Sequence, residues 1–175
     1  MNPSLKLLLI ALLLVAAPLA SATSGDTQQP ITIEADRAEI DERQAVSVYS
    51  GNVLLSQGSL QVQADTVTVH AEAGQLRRII AEGSPVHYRQ QRDNEADIRG
   101  QSLRMEYDAD SKRLLLLNNA ELWQGENRFS GERIQYDPEQ DRVIASGAAE
   151  GEGADRPRVR VTLQPKPATD NEEQP

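Results

Sequence analysis

The chain contains no cysteine. A disulfide framework is therefore excluded, and a lipid-modified N-terminal cysteine is not expected. Aromatics are few, with one Trp, one Phe and four Tyr. Any interior must be built mainly from Val, Ile, Leu and Ala. There are only two histidines, His70 and His87, so a metal site would have to rely on carboxylates. Positive charge is in deficit, and the formal net charge is −9. That balance argues against nucleic acid, which needs a basic stripe. It also argues against simple adhesion to an anionic membrane surface. It does not exclude an amphiphile held by its acyl chains. Beyond the N-terminal run, no segment is long and apolar enough to span a bilayer as a helix.

What is present begins with a leader-like start. Lys6 is followed by an apolar run from Leu7 to Val15 and by the small residues Ala20-Ser21-Ala22. This is the pattern of a cleaved signal peptide. Residues 1–22 are expected to be removed, leaving one domain over 23–164 and a disordered polar tail over 165–175.

From Ile31 onward the sequence alternates. Ile31, Ile33 and Ala35 share one side; Thr32, Glu34 and Asp36 share the other. The same period of two returns in Leu60 to Ala64, Val67 to Val69, Leu103 to Tyr107, Ile134 to Tyr136 and Val159 to Leu163, and it predicts strands. Turn residues fall between these runs. They include Ser50-Gly51-Asn52, Gln57-Gly58-Ser59, Glu72-Ala73-Gly74, Gly83-Ser84-Pro85, Asp108-Ala109-Asp110, Asn118-Asn119, Gly125-Glu126-Asn127 and Asp137-Pro138-Glu139. Many short strands with frequent turns imply an all-β sheet stack, barrel or solenoid.

Two series of small or turn-prone residues recur at intervals of about thirty residues. One is Ala35, Ala64, Gly100 and Gly131; the other is Gly51, Gly83, Asn119 and Gly147. Such a period implies stacked units that bury a continuous apolar face only together. A stack also leaves two sheet edges, here Ile31 and Ile33 at the start and Val159, Val161 and Leu163 at the end. Edges invite strand addition. If the first edge of one copy pairs with the last edge of another, the contact extends without closing. Pro30, Arg156, Pro157, Arg158 and Arg160 are the residues that would blunt those edges.

Chemistry is sparse. Asp108-Ala109-Asp110 and Asp137 to Asp141 carry acids at tempting spacing, but lack the Gly and terminal Glu of a calcium loop. Asp36 and Asp65 follow the small residue in two units, where a paired-carboxylate enzyme would place acids. The third and fourth units have Gln101 and Glu132 there, which favours a structural turn position. There is no Gly-x-Ser-x-Gly and no Gly-rich phosphate loop. No catalytic residue, metal or cofactor is expected. Arg77, Arg78, Arg89, Arg92 and Arg99 are candidates for sugar phosphates at a groove mouth, or simply for a solvated outer strand face.

Gly25 to Asp36 (GDTQQPITIEAD), Ser50-Gly51-Asn52-Val53, Gln57-Gly58, Ala64-Asp65, Gly83-Ser84-Pro85 and Met105-Glu106-Tyr107, in this order and behind a signal-like start, resemble the OstA-like family of lipopolysaccharide-export proteins. The similarity runs from about Gly25 to Leu163. The resemblance implies an open, twisted antiparallel β-jellyroll in the periplasm. It implies head-to-tail oligomers that join an inner-membrane-anchored jellyroll partner to an outer-membrane one, with the acyl chains of lipopolysaccharide (lipid A) travelling inside. The positions that match the family's groove contacts are Thr27, Ile31, Ile33, Tyr88 and Tyr107, with Tyr49 a weaker match. Met105, Phe129 and Tyr136 join this lipid-contacting set as apolar or aromatic residues of the predicted strands. The alternative is a structural β-filament without a lipid ligand.

Overall fold

The computed structural model describes residues 29–92, 95–147 and 158–165. Expectations for the leader over 1–22, for Thr27 and for the tail beyond Pro165 lie outside the described residues. Ten strands form one antiparallel sheet: β1 (Thr32–Glu34), β2 (Arg37–Asp41), β3 (Val46–Gln57), β4 (Leu60–Glu72), β5 (Gln75–Gln90), β6 (Ile98–Asp108), β7 (Arg113–Gln124), β8 (Asn127–Asp137), β9 (Arg142–Ser146) and β10 (Arg160–Thr162). β3 to β8 pair in sequence order. β1 and β2 both pair with β3 at one edge, and β9 and β10 both pair with β8 at the other. Among the described residues the sheet does not close.

Three sequence expectations need correction. Ser50-Gly51-Asn52, Gly83-Ser84-Pro85 and Asn118-Asn119 do not separate strands. Each lies inside one long strand, β3, β5 or β7. Each is a bulge where the ladder register shifts, between Ser50 and Val53, Glu82 and Val86, and Leu117 and Ala120. β4 and β6 shift likewise, between Gln63 and Thr66 and between Gln101 and Arg104. Bulges bend a strand and increase its twist. Aligned from strand to strand, they fold the sheet along one line into two facing walls.

The corner explains the repeat. Ala35, Ala64, Gly100, Gly131, Gly51, Gly83 and Asn119 all lie at or beside the bend, so the thirty-residue period counts corners. The chain solves the bend in two ways. In β3 and β7 it inserts two residues with positive φ, Gly51 and Asn52 or Asn118 and Asn119. Two extra residues keep the alternation in phase, so Tyr49 and Val53 face inward alike. In β4 and β6 the phase slips by one, and the inward set jumps from Ala64 to Val67 and from Ser102 to Met105. Gly51 is required sterically as well. A Cβ there would meet the Asp36 carboxylate, which accepts a 2.8 Å hydrogen bond from Asn52 Nδ2. The Asp36 N–H donates to the Gly51 carbonyl at 2.9 Å. Asp36 is thus a clip at the corner.

The first wall consists of β1, the Val53–Gln57 half of β3, Leu60–Ala64, Val86–Gln90, Ile98–Ser102, Ala120–Gln124, Asn127–Gly131 and β10. The second holds β2, Val46–Ser50, Thr66–Glu72, Gln75–Glu82, Arg104–Asp108, Arg113–Leu117, Arg133–Asp137 and β9. Hairpins join the strands at the free rim of each wall. On the second wall, Asp108 Oδ1 accepts from the Ser111 N–H and Oγ at 2.8 and 2.7 Å, and Asp137 Oδ1 accepts from the Glu139 and Gln140 N–H at 3.1 Å. Asp41 does the same for Arg43 and Gln44. The acids that suggested calcium are turn-forming aspartates.

The inner faces of both walls meet in one apolar core of Val53, Leu55, Val62, Val67, Ile98, Met105, Leu116, Leu122, Ile134 and Tyr136. Contact across the fold is close: a Cβ on Gly100 of the first wall would lie 3.0 Å from Leu116 Cδ1 of the second.

Candidate functional site: an apolar trough with two open ends

The space between the walls is filled at its middle and open towards its ends and rim. Towards the β1 edge, Ile31, Ile33, Tyr49, Val69, Ala71, Leu76 and Ile79 line a cavity of about 300 Å³. Three predicted contacts, Ile31, Ile33 and Tyr49, therefore come together from opposite walls. At the rim, Tyr88, Tyr107 and Tyr136 converge with Leu60 and Leu114 around a second cavity of about 210 Å³. Lys112, Gln57, Gln90 and Glu139 complete its polar lip. The Tyr88 hydroxyl donates to Gln90 Oε1 at 2.7 Å, which satisfies the buried phenol. Burial raises the pKa of Tyr107 and of Tyr136 above the ordinary phenol value, so both remain neutral near pH 7.

Tyr136, though it borders the rim cavity, is 1% exposed, and Met105 is buried to the same degree away from both cavities, so a chain reaching the Met105 side must part the walls. Phe129 is half-buried against the core beside Val161, its partner in register. Sequence reasoning missed Leu60, Val69, Leu76, Ile79 and Leu114. Their signal was phase: Leu60 and Val69 fall in step with Val62, Ala64 and Val67 once the corner slip is counted, Ile79 with Tyr88, and Leu114 with its register partner Tyr107, whereas Leu76 turns inward only through a second register shift at His70/Ala71.

A clasp crosses the rim. Asp141, in the β8–β9 turn, accepts from Arg92 Nη1 at 3.1 Å and from Gln124 Nε2 at 2.9 Å. Arg92 also donates to the Tyr136 hydroxyl at 3.2 Å and pairs with Glu95. Of the five arginines named from sequence, Arg92 alone lies at the trough's rim. Arg77 pairs with Glu72 and Asp110 at 2.9 and 2.7 Å. Arg78, Arg89 and Arg99 stand on the outer faces, the solvated alternative.

The inner apolar face does not stop at the sheet edges. Ile40 of β2, in register with Ser47 of the inner face, is 64% exposed. At the other edge, Val161 and Leu163 are 47% and 65% exposed. The fold and site define an open, all-β jellyroll enclosing an apolar trough that runs out at both ends.

A family described as "LptA/(LptD N-terminal domain) LPS transport protein" matches residues 32–142. The chain is similar to the lipopolysaccharide export system protein LptH of Pseudomonas aeruginosa, 33% identical over 156 residues, 87% of this chain and 89% of the relative. It is similar to the export system protein LptA of Escherichia coli K12, 34% identical over 135 residues, 76% and 73% of the two chains. The crystal structure of LptH, titled the LptA-homologous periplasmic component of the lipopolysaccharide transport device, superposes with a TM-score of 0.73 at 32% identity, covering 80% of this chain and 99% of that one. The chain belongs to the LptA/LptD N-terminal domain family.

Proposed function

We propose that this protein binds lipopolysaccharide through its acyl chains and carries it across the periplasm, from inner to outer membrane, as one segment of a head-to-tail jellyroll bridge. The observation that carries this reading is the apolar inner face reaching both edges, with Ile40, Val161 and Leu163 uncovered. A second copy, or a jellyroll partner anchored at either membrane, would pair with an edge strand and continue both the ladder and the trough. Family membership supports the ligand.

Magnitudes suit a carrier. Each buried methylene contributes roughly 0.8 kcal/mol. About ten methylenes give ~8 kcal/mol, near micromolar affinity before ordering costs. An open rim limits enclosure and so permits release. A photo-crosslinking residue in place of Ile33 or Tyr107 is expected to capture lipopolysaccharide in cells. Labelling only from the outward positions Thr32 and Glu106 would sink the proposal.

The tight packing around Met105 and Leu116 favours one second reading, a periplasmic filament without lipid. Under it, Ile33→Glu impairs assembly or stability, with no lipid-binding defect separable from folding.

A further inference from the structure

The outer face of the first wall carries a row that the trough does not use. Gln61, Arg89, Arg99, Trp123 and Arg128 stand in register across five strands. Beside them runs a second row of Gln63, His87, Gln101 and Glu121. Residues of the two rows, with Tyr88 and Gly100 in register between them, line a hollow of about 370 Å³, within the roughly 300–1,000 Å³ span of small-molecule sites. The hollow lies on the opposite side of the sheet from the trough, so its reading does not rest on lipid transport.

The charges there are arranged against stability. Arg89 and Arg99 sit directly opposite each other on neighbouring strands, an unfavourable cross-strand pair. Among the described residues, the ion pair made by these two is Arg89 to Asp97 at 3.9 Å. Glu121 is already engaged by Arg128 at 2.6 Å and Gln101 at 3.2 Å. The Arg99 and Arg128 guanidiniums lie 5.9 and 5.5 Å from the Trp123 ring centroid, which holds both forks in place. Guanidinium forks match the oxygens of a phosphate. The amides of Gln61, Gln63 and Gln101 offer both donors and acceptors to hydroxyls.

We propose that this hollow binds a phosphorylated saccharide, with the phosphate on Arg89 and Arg99 and the sugar hydroxyls on the three glutamines. Trp123 is the chain's one tryptophan, so its fluorescence reads the site directly. Titration of the full chain with glucose 1-phosphate is expected to give a saturable change in emission. Arg89→Gln, which leaves the Trp123 contacts in place, should weaken binding by at least about tenfold, the loss expected for one charge-assisted contact. Arg113→Gln on the second wall should leave it unchanged, and circular dichroism should show both variants folded. No saturable change, or equal binding by Arg89→Gln, overturns the proposal. So does equal affinity for glucose, which would make the site indifferent to charge, or for inorganic phosphate, which would make it a bare anion site. Tighter binding of a peptide of residues 166–175 overturns it in favour of an acidic chain segment.

Discussion

The two walls share one interior but treat charge differently on their outer faces. Across the second wall the signs alternate: Arg78 faces Asp108, Asp108 faces Arg113, Arg113 Nε lies 3.3 Å from Asp137, and Asp137 faces Arg142. Glu82 and Arg104 pair at 2.6 Å in the same style. Opposite charges across a ladder each contribute roughly 0.2–1 kcal/mol. Across the first wall, Arg89 faces Arg99, and the next positions are Trp123 and Arg128. One wall is arranged as a scaffold. The other gives up cross-strand stability, and such departures from local consistency concentrate where a protein acts.

The largest test asks whether the walls are one folding unit. Leu116 of the second wall packs against Gly100 of the first, so Leu116→Ala should cost roughly 2–5 kcal/mol. Urea unfolding followed by Trp123 fluorescence and by far-ultraviolet dichroism should give one coincident transition. Two separate transitions would mean that each wall has its own core, and the comparison would concern two domains.

A smaller effect is expected at the clasp. Asp141 has a φ of 45°, so Asp141→Gly keeps the backbone while deleting the carboxylate. The loss should be about 1 kcal/mol, given that the site is partly exposed. Hydrogen exchange should quicken at the rim near Tyr88 and Tyr136 and stay unchanged at the corner. Faster exchange at the corner amides would show that the walls do not part at the rim.

The charge comparison itself yields a pair of opposite signs. Arg89→Gln should raise stability by a few tenths of a kcal/mol, and Arg113→Gln should lower it by about 0.5–1 kcal/mol. Chemical denaturation of both variants measures this. Equal signs would erase the distinction between the walls.

The smallest effect is at Ser111, whose N–H and hydroxyl hold Asp108 below the ordinary carboxylate pKa. A depressed carboxyl stabilises the fold above its unfolded pKa and loses that contribution as pH falls through the folded one. Ser111→Ala should therefore lower Tm slightly at pH 7, and the gap should close under acid. A gap that persists at pH 2 would assign the effect to packing.

Much of the sheet was legible in the sequence, because period-two alternation marks strands wherever one face is buried. Leu60 to Ala64 and Val67 to Val69 were both readable as strand. That they form one strand was not, because the phase slips at Asp65-Thr66. Gly51-Asn52 likewise looks like a hairpin, since corners and hairpins both need positive φ. Whether the chain reverses there depends on the strands alongside, which is non-local information. The same limit applied to the site. Ile31, Ile33 and Tyr49 were identified singly, but their meeting in one cavity depends on the fold along the corner. Arg89 and Arg99 were noticed, and alternation alone did not assign them a wall.

The corner line has a mechanical consequence. A bend shared by successive strands acts as the spine of a book. The leaves can swing about it while every ladder hydrogen bond within each leaf stays made, so a change of angle costs core contacts and little else. The clasp at Asp141 holds the leaves near the β8–β9 end. A wedge entering at the Ile33 end would therefore force the leaves apart progressively, with the leverage falling on Arg92 and Gln124. Among the described residues, the clasp that joins the two leaves at the rim thus sits towards the β8–β9 end, far along the spine from Ile33.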